Sequence, residues 1–267
     1  MAGEPLKIAL VGPGGRMGRA ILEQLEGRDD MCLSGALVRA GSALEGQKLP
    51  GQEIQATSDP EQALAAAGVM LDFSRPETIP WLAPKCAQAG VALVSGTTGL
   101  GGNAQDALKA AADQIPVLYA PNTSLGVNLL AGLVRRAAAV LGEDYDIEIT
   151  EAHHRHKVDA PSGTALRLGE AAAAGRGVDP QARAVHSRHG HTGPRQSGDI
   201  GYAVVRGGDI AGEHSVLFAG PGERLELGHR ASSRATFAAG ALHCATWIAG
   251  QSAGLYSMDD VLDLGPY

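Results

Sequence analysis

A short, mostly apolar run, Leu6–Val11, breaks into Gly12-Pro13-Gly14-Gly15-Arg16-Met17-Gly18, and a helical pattern over Arg16–Leu25 follows at once. A strand, a glycine-rich turn and a helix in this order can pack in few ways, because the helix must fold back over the strand and a parallel neighbour then follows. Gly12 permits the tight turn, Gly14 or Gly15 lets the backbone approach a pyrophosphate, and Gly18 allows close packing of helix on strand. Free N–H groups and the positive end of the helix dipole would receive the phosphates. The spacing departs from GxGxxG, since Met17 takes the third glycine's place and the run reads GxxGxxG. A glycine-rich turn without a ligand is the competing reading of this motif by itself.

The same alternation runs through the first half of the chain. Apolar runs at Cys32–Val38, Val69–Phe73, Val91–Ser95 and Val117–Tyr119 are separated by segments such as Pro76–Ala89 and Ala104–Ala112, whose apolar residues recur at helical spacing. Such an order predicts a parallel sheet covered on both faces. After Tyr119 the pattern changes. A helix is expected over Leu125–Leu141, then a half-buried strand over Tyr145–Ala152, where Tyr145, Ile147 and Ile149 alternate with acidic residues. Ile200–Arg206, His214–Ala219 and Arg224–His229 read as strands joined by glycine-rich turns with no helix between them, so this region is expected to be an open, mostly antiparallel sheet. A helix over Ser233–Ala249 closes the pattern. At 267 residues the chain suits two modest domains, the last helix being free to return to the first.

Composition removes several classes of function. A net charge of -7 argues against a general nucleic-acid binder. Cys32, Cys86 and Cys244 are far apart and form no CxxC pair, so neither a disulfide framework nor a cysteine zinc site is expected, and a reducing cytoplasm is the default. No apolar stretch approaches the ~20 residues of a membrane span. The first residues, Met-Ala-Gly-Glu-Pro-Leu-Lys, lead straight into a strand pattern without a signal-peptide apolar region. A cytoplasmic protein without nucleic-acid or membrane partners is the expectation.

The end of the second strand bears on the nucleotide. An NAD enzyme usually places an acidic residue there, to hold the ribose hydroxyls. This chain offers Val38 and Arg39, so a 2′-phosphate would meet a guanidinium and no carboxylate, which favours NADP(H). A solvated surface arginine is the alternative. Two further loops, Gly96-Thr97-Thr98-Gly99 and Ala120-Pro121-Asn122-Thr123, follow candidate strands at the ends where open α/β sheets bind ligands.

The densest ionisable chemistry lies in Glu151-Ala-His153-His154-Arg155-His156-Lys157-Val-Asp159-Ala-Pro161-Ser162-Gly163-Thr164. In an extended segment His153, Arg155 and Lys157 would share one face, and His154 and His156 the other. Lys157 suits a carboxylate, and a histidine is the natural proton donor near neutral pH. Ser162-Gly163-Thr164 opens a helical pattern whose hydroxyls and N–H groups would hold a second carboxylate. Together they suit a small dianionic substrate. Chelation of a metal by His154 and His156 competes, but Arg155 and Lys157 would repel a cation and no HExxH spacing supports it, so no metal is expected. A solvated strand edge is the other alternative. A second group, His186, His189 and His191 in a stretch ending at Arg195, reads as a mobile exposed loop whose arginines offer a weak anion clamp.

With Gly207-Gly208-Asp209-Ile210-Ala211-Gly212-Glu213-His214 and His229-Arg230-Ala231-Ser232-Ser233-Arg234, these motifs closely resemble the 4-hydroxy-tetrahydrodipicolinate reductase (dihydrodipicolinate reductase) family, in order and over nearly the whole chain. The resemblance implies an α/β protein. A Rossmann-like parallel-sheet domain, residues 1–124 completed by 234–267, would bind the dinucleotide. A central α+β mixed-sheet domain, residues 125–233, would bind substrate and build a homotetramer. It also implies NAD(P)H-dependent reduction of 4-hydroxy-tetrahydrodipicolinate to tetrahydrodipicolinate in the diaminopimelate route to lysine. By resemblance His153 and Lys157 are catalytic, and His154, Ser162, Gly163 and Thr164 hold substrate carboxylates. Gly12, Pro13, Gly14, Gly15, Arg16, Met17, Arg39, Gly96, Thr97, Thr98, Ala120, Pro121, Asn122 and Thr123 match nucleotide contacts. Many members carry Glu where Val38 stands and Phe where Thr123 stands. The first departure argues for NADPH over NADH, and the second for a less firmly held nicotinamide.

Overall fold

The computed structural model describes residues 4–233 and 235–265. Met1–Gly3 of the N-terminal reading and Arg234 of the last motif lie outside the described residues. In chain order the first elements are β1 (Leu6–Val11), α1 (Arg16–Leu25), β2 (Met31–Leu37), α2 (Pro60–Leu64), β3 (Val69–Asp72), α3 (Ile79–Ala89), β4 (Ala92–Ser95), α4 (Gly102–Ala112) and β5 (Pro116–Tyr119). There follow α5 (Leu125–Leu141), β6 (Asp146–His153), α6 (Gly163–Arg176), α7 (Pro180–Arg183), β7 (Ala184–Val185), β8 (Ile200–Arg206), β9 (Glu213–Gly220) and β10 (Glu223–Arg230). The last are α8 (Ala235–Ile248), β11 (Gly254–Tyr256) and α9 (Met258–Val261).

The chain divides into two compact units. The first runs to Ser124 and takes up again after Ser233 as far as Val261. Its sheet has the order β11-β5-β4-β3-β1-β2, with every pairing parallel. Each residue of β3 and β4 is buried, as strands covered on both faces must be. On one face Met70, Leu93 and Val117 meet Leu82 of α3 and Leu108 of α4; α8 packs against β3, β4 and β5, and against α1. Each fully buried Leu or Ile here contributes about 1.5–3 kcal/mol relative to an exposed one. The expected α/β class with a Rossmann-like parallel sheet is what is found. The strand β11 has three residues, too few to show periodicity, and the sequence left it in a tail.

The second unit comprises Leu125–Ser233 and the residues from Leu262 onward. The tail expected with the first domain therefore belongs here. Arg135 of α5 donates to the Gly265 carbonyl, and Leu264 packs so closely on α5 that only glycine fits at position 132. The sheet order is β10-β9-β6-β8-β7. The expectation of a mostly antiparallel sheet is corrected: β9 pairs antiparallel with β6 and β10, but β8 runs parallel to both β6 and β7. The cause is α6, which carries the chain back across the sheet between β6 and β8. Alternation along β6 buries Ile147 and Ile149, which join Val216 and Phe218 against Leu130 and Val134 of α5 and Leu168 of α6.

Leu125–Asp144 is 20 residues long with a mean hydropathy of 1.4, long and apolar enough to cross a membrane. This corrects the expectation that no stretch approached that length. Its Leu130, Val134 and Ala138 are buried in the core of the second unit, which is where the apolar face is used.

Candidate active site

Loops at the carboxyl ends of β1, β3, β4 and β5 converge on a cavity of about 440 Å³ in the first unit, lined by Arg16, Met17, Phe73, Ser74, Gly96, Thr97, Thr98, Pro121, Asn122, Thr123 and Phe237. Strand order reverses beside β1, the place where open α/β sheets form a ligand crevice. Gly12 adopts φ +66°, and the Gly15 N–H closes the turn on its carbonyl at 3.0 Å. A Cβ on Gly18 would lie 2.3 Å from that same carbonyl oxygen, so α1 can start this close only with glycine there. No side chain caps α1 and no acidic residue sits in its first turn, which leaves its N–H groups and positive pole to an anion. These features fit a dinucleotide.

Not every expected residue lines this cavity. Pro13 and Gly14 border a separate space of about 400 Å³, together with Leu44 and Leu49. Arg39 is exposed just past β2. Ala120 is 1% exposed and gives its N–H to the Ser95 carbonyl at 2.9 Å, so it shapes its loop and presents no side chain to the cavity.

Sequence reasoning missed Asp72, which ends β3 and is fully buried. It accepts hydrogen bonds from Ser74 Oγ, Ser95 Oγ (3.0 Å) and Thr97 Oγ1 (2.7 Å), tying the loop after β3 to the loop after β4. Burial pushes its pKa up, and the hydroxyl donors pull against that. The available signal was an acidic residue closing an otherwise apolar run. Thr123 is buried too; its Oγ1 donates to the Phe237 carbonyl at 2.7 Å, joining the loop after β5 to α8.

In the second unit β6 carries Glu151 and His153 on one face, both buried. The strand stops there. His154 N–H donates to the Ile210 carbonyl (2.8 Å), Arg155 N–H to Gly208 (3.2 Å) and Lys157 N–H to His154 (3.1 Å). Residues 154–157 therefore turn, and the expected alternation of His153, Arg155 and Lys157 against His154 and His156 fails. Lys157 Nζ donates to both Asp159 carboxylate oxygens at 2.8 Å. His154 is half-buried and its Nδ1 lacks a partner among the described residues.

Ser162 caps α6, its Oγ accepting from the Ala165 N–H at 3.1 Å and lying 3.0 Å from His214 Nε2. Its own N–H goes to Glu151 Oε1 at 2.9 Å. Ser162 is thus turned inward, its hydroxyl engaged by the helix start and His214, while Gly163 is exposed at the first helical position.

Glu151 is the hub of this site. Burial works to raise its pKa, but hydrogen bonds from Arg206, His153 and the Ser162 N–H outweigh that and bring it down to about 2. His214 meets the His153 ring edge-on with centroids 5.1 Å apart. Its pKa falls to about 4, first through burial and then through the proximity of His153. The sequence gave no role to Arg206 or His214, although the Gly207–His214 motif ends on the latter. Beside them a cavity of about 450 Å³ is lined in part by Thr150, His214, His229 and Arg230.

The loop with His186, His189 and His191 is not a free arm. Arg188 pairs with Glu148 at 2.8 Å, and Arg195 pairs with Asp146 (2.7 Å) and Glu148 (2.9 Å), while His186 stacks on Tyr202. Its arginines are held by carboxylates of β6, which corrects the expectation of a mobile anion clamp.

Known proteins match the chain from end to end. Family models described as "Dihydrodipicolinate reductase, N-terminus" and "Dihydrodipicolinate reductase, C-terminus" match residues 6–123 and 126–262. A 4-hydroxy-tetrahydrodipicolinate reductase from Thiobacillus denitrificans is 52% identical over 264 residues, covering 97% of this chain and 99% of the relative. One from Pseudomonas fluorescens is 49% identical over 265 residues, covering 97% and 99%. The fold matches a solved dipicolinate-bound dihydrodipicolinate reductase from Paenisporosarcina sp. TG-14, with a TM-score of 0.78 at 24% identity, covering 95% of this chain and 97% of the other. The chain belongs to the dihydrodipicolinate reductase family, the NAD(P)H-dependent 4-hydroxy-tetrahydrodipicolinate reductases of diaminopimelate and lysine biosynthesis.

Proposed function

We propose that the residues assembled here reduce 4-hydroxy-tetrahydrodipicolinate to tetrahydrodipicolinate and water, with NADPH preferred over NADH. The observation that carries the residue assignment is the buried His153, held by a carboxylate and followed closely by Lys157 and the start of α6. A nicotinamide cofactor supplies the hydride, delivered to C4 of the substrate ring. The chain supplies the rest. The turn from Gly12 to Met17 and the loops Gly96–Thr98 and Ala120–Thr123 hold the dinucleotide, with Arg39 for a 2′-phosphate. Lys157 exchanges Asp159 for a substrate carboxylate, and His154 and the helix start at Ser162, Gly163 and Thr164 hold the second. His153 gives the proton that completes the reduction. Dipicolinate bound to the Paenisporosarcina relative supports a small planar dicarboxylate as the ligand class.

In an assay coupled to dihydrodipicolinate synthase, with NADPH oxidation followed optically, His153→Gln and Lys157→Ala should each lower kcat by about 100-fold or more. Near wild-type turnover in both folded variants would refute the assignment. NADPH should give the higher kcat/KM, and Arg39→Ala should remove that advantage; an unchanged ratio would count against it. The reading includes a homotetramer, supported by the face of the second sheet opposite α5 and α6, where Val205 is 48% exposed. Sedimentation showing a monomer at micromolar concentration would exclude it. A cytoplasmic location completes the reading, with Cys32, Cys86 and Cys244 all free thiols.

A further inference from the structure

The two ring nitrogens of His153 have different surroundings. Nδ1 lies 2.6 Å from Oε2 of Glu151. That carboxylate is 1% exposed, and both its oxygens take other donors as well. Oε1 accepts from the Ser162 N–H (2.9 Å) and Arg206 Nη2 (2.8 Å), and Oε2 accepts from Arg206 Nη1 (2.7 Å). A carboxylate so supplied is ionised and only accepts, so the proton between it and the ring sits on Nδ1. Nε2 looks toward Gly212, where a Cβ would lie 3.1 Å away. Glycine at that position, with φ +155°, leaves the approach to Nε2 open.

The neighbouring groups are all engaged elsewhere or uncharged. His214 on β9 directs Nε2 to Ser162 Oγ, and burial lowers its pKa. His229 on β10 lies opposite His214 in the ladder, and burial lowers its pKa too. Arg206 on β8 is committed to Glu151 and the Asp159 carbonyl, and Lys157 to the Asp159 carboxylate.

We propose that Glu151 is a positioning residue for proton transfer: it pins His153 in the Nδ1–H form, so that Nε2 alone carries the transferred proton. The Nε2–H bond of the imidazolium breaks, its electron pair stays on nitrogen, and the proton passes to the ring that has received hydride. The neutral imidazole left behind is already the Nδ1–H tautomer bonded to Glu151. Reloading takes one proton from solvent at Nε2, with no exchange of tautomers and no ring flip. This rests on His153 as the proton donor, while the tautomer itself is read independently of turnover.

The test is ¹⁵N-resolved NMR of histidine-labelled full-length protein, with His153→Gln identifying the resonances, alongside steady-state kinetics. In the wild type the neutral His153 ring should carry its proton on Nδ1. In Glu151→Gln the amide nitrogen takes the Oε2 position, because the Oε1 position faces two fixed donors. Nδ1 must then accept, the ring becomes Nε2–H, and kcat should fall about 100-fold with KM for NADPH within twofold. Glu151→Asp keeps the charge for Arg206 but withdraws it about 1.5 Å from Nδ1; kcat should fall at least 10-fold, and this variant decides the matter if Glu151→Gln does not fold. An Nε2–H ring in the wild type, or kcat within threefold of wild type in a folded variant, overturns the proposal. Turnover surviving in His153→Gln overturns the proton-donor assignment and this proposal with it. The wrong tautomer with His153→Gln inactive overturns this proposal alone.

Discussion

Replacing Arg206 with methionine keeps most of the aliphatic stem and strands a buried carboxylate. Glu151 is 1% exposed and takes two charge-assisted hydrogen bonds from Arg206, at 2.7 and 2.8 Å. Its pKa stands at about 2 against an ordinary 4.5, and Arg206 is the largest of the hydrogen-bond causes. At about 1.4 kcal/mol per pH unit that difference corresponds to about 3 kcal/mol of folding stability. Breaking a buried ion pair by removing one partner costs about 3–5 kcal/mol. Since His153 and the Ser162 N–H still serve Glu151, a loss of about 2–3 kcal/mol at pH 7 is expected. Urea unfolding reads this directly, provided the slope with denaturant is unchanged. The pH dependence has a definite sign. The folded pKa lies below the unfolded one, so the stabilisation is complete above about 4.5 and disappears as pH falls toward 2. In Arg206→Met the folded pKa moves back up, and the gap between variant and wild type should shrink below about pH 4.5. Adding Glu151→Gln to Arg206→Met should restore part of the loss, because no charge is then stranded. A difference below about 0.5 kcal/mol at pH 7, or one that widens in acid, would refute the reasoning.

Two further outcomes follow from the first unit. Gly18→Ala places a Cβ 2.3 Å from a backbone oxygen, and should cost about 1–3 kcal/mol and raise KM for NADPH at least 10-fold; an unaltered KM by optical assay would argue against a dinucleotide over this turn. Asp72→Ala leaves Ser74, Ser95 and Thr97 without their shared acceptor, and should destabilise by about 1–3 kcal/mol while KM for NADPH rises and KM for the dicarboxylate holds. Equal changes in both constants would count against it.

Where local chemistry decides structure, it could be read ahead of the coordinates. β1, α1, α5 and β8 begin and end where periodicity and glycine breaks put them. Elsewhere the deciding partner is distant. The direction of β8 depends on where α6 deposits the chain. The segment after Arg39 is fixed by single bridges, Leu37 to Thr57 and Glu45 to Ala56, which leave no repeating pattern. His153 and Lys157 stand out by residue type. Glu151 gains its role from Arg206, 55 positions away, and Ser162 meets His214 across 52 positions. The turn at 154–157 depends on carbonyls of the 207–212 loop, so no rule about alternation within the run could have found it.

The discontinuity of the first unit sets an order for synthesis. Thr123 bonds the Phe237 carbonyl across 114 residues, and β11 covers the edge of β5 only at Gly254–Tyr256. A ribosome must therefore complete every strand of the second sheet before the first sheet can acquire its last strand. During that interval β5 is an uncovered parallel edge, the kind of surface to which another chain can add. Polysome density and the supply of holdase chaperones should accordingly govern the yield of active protein more than the stability of the finished fold does.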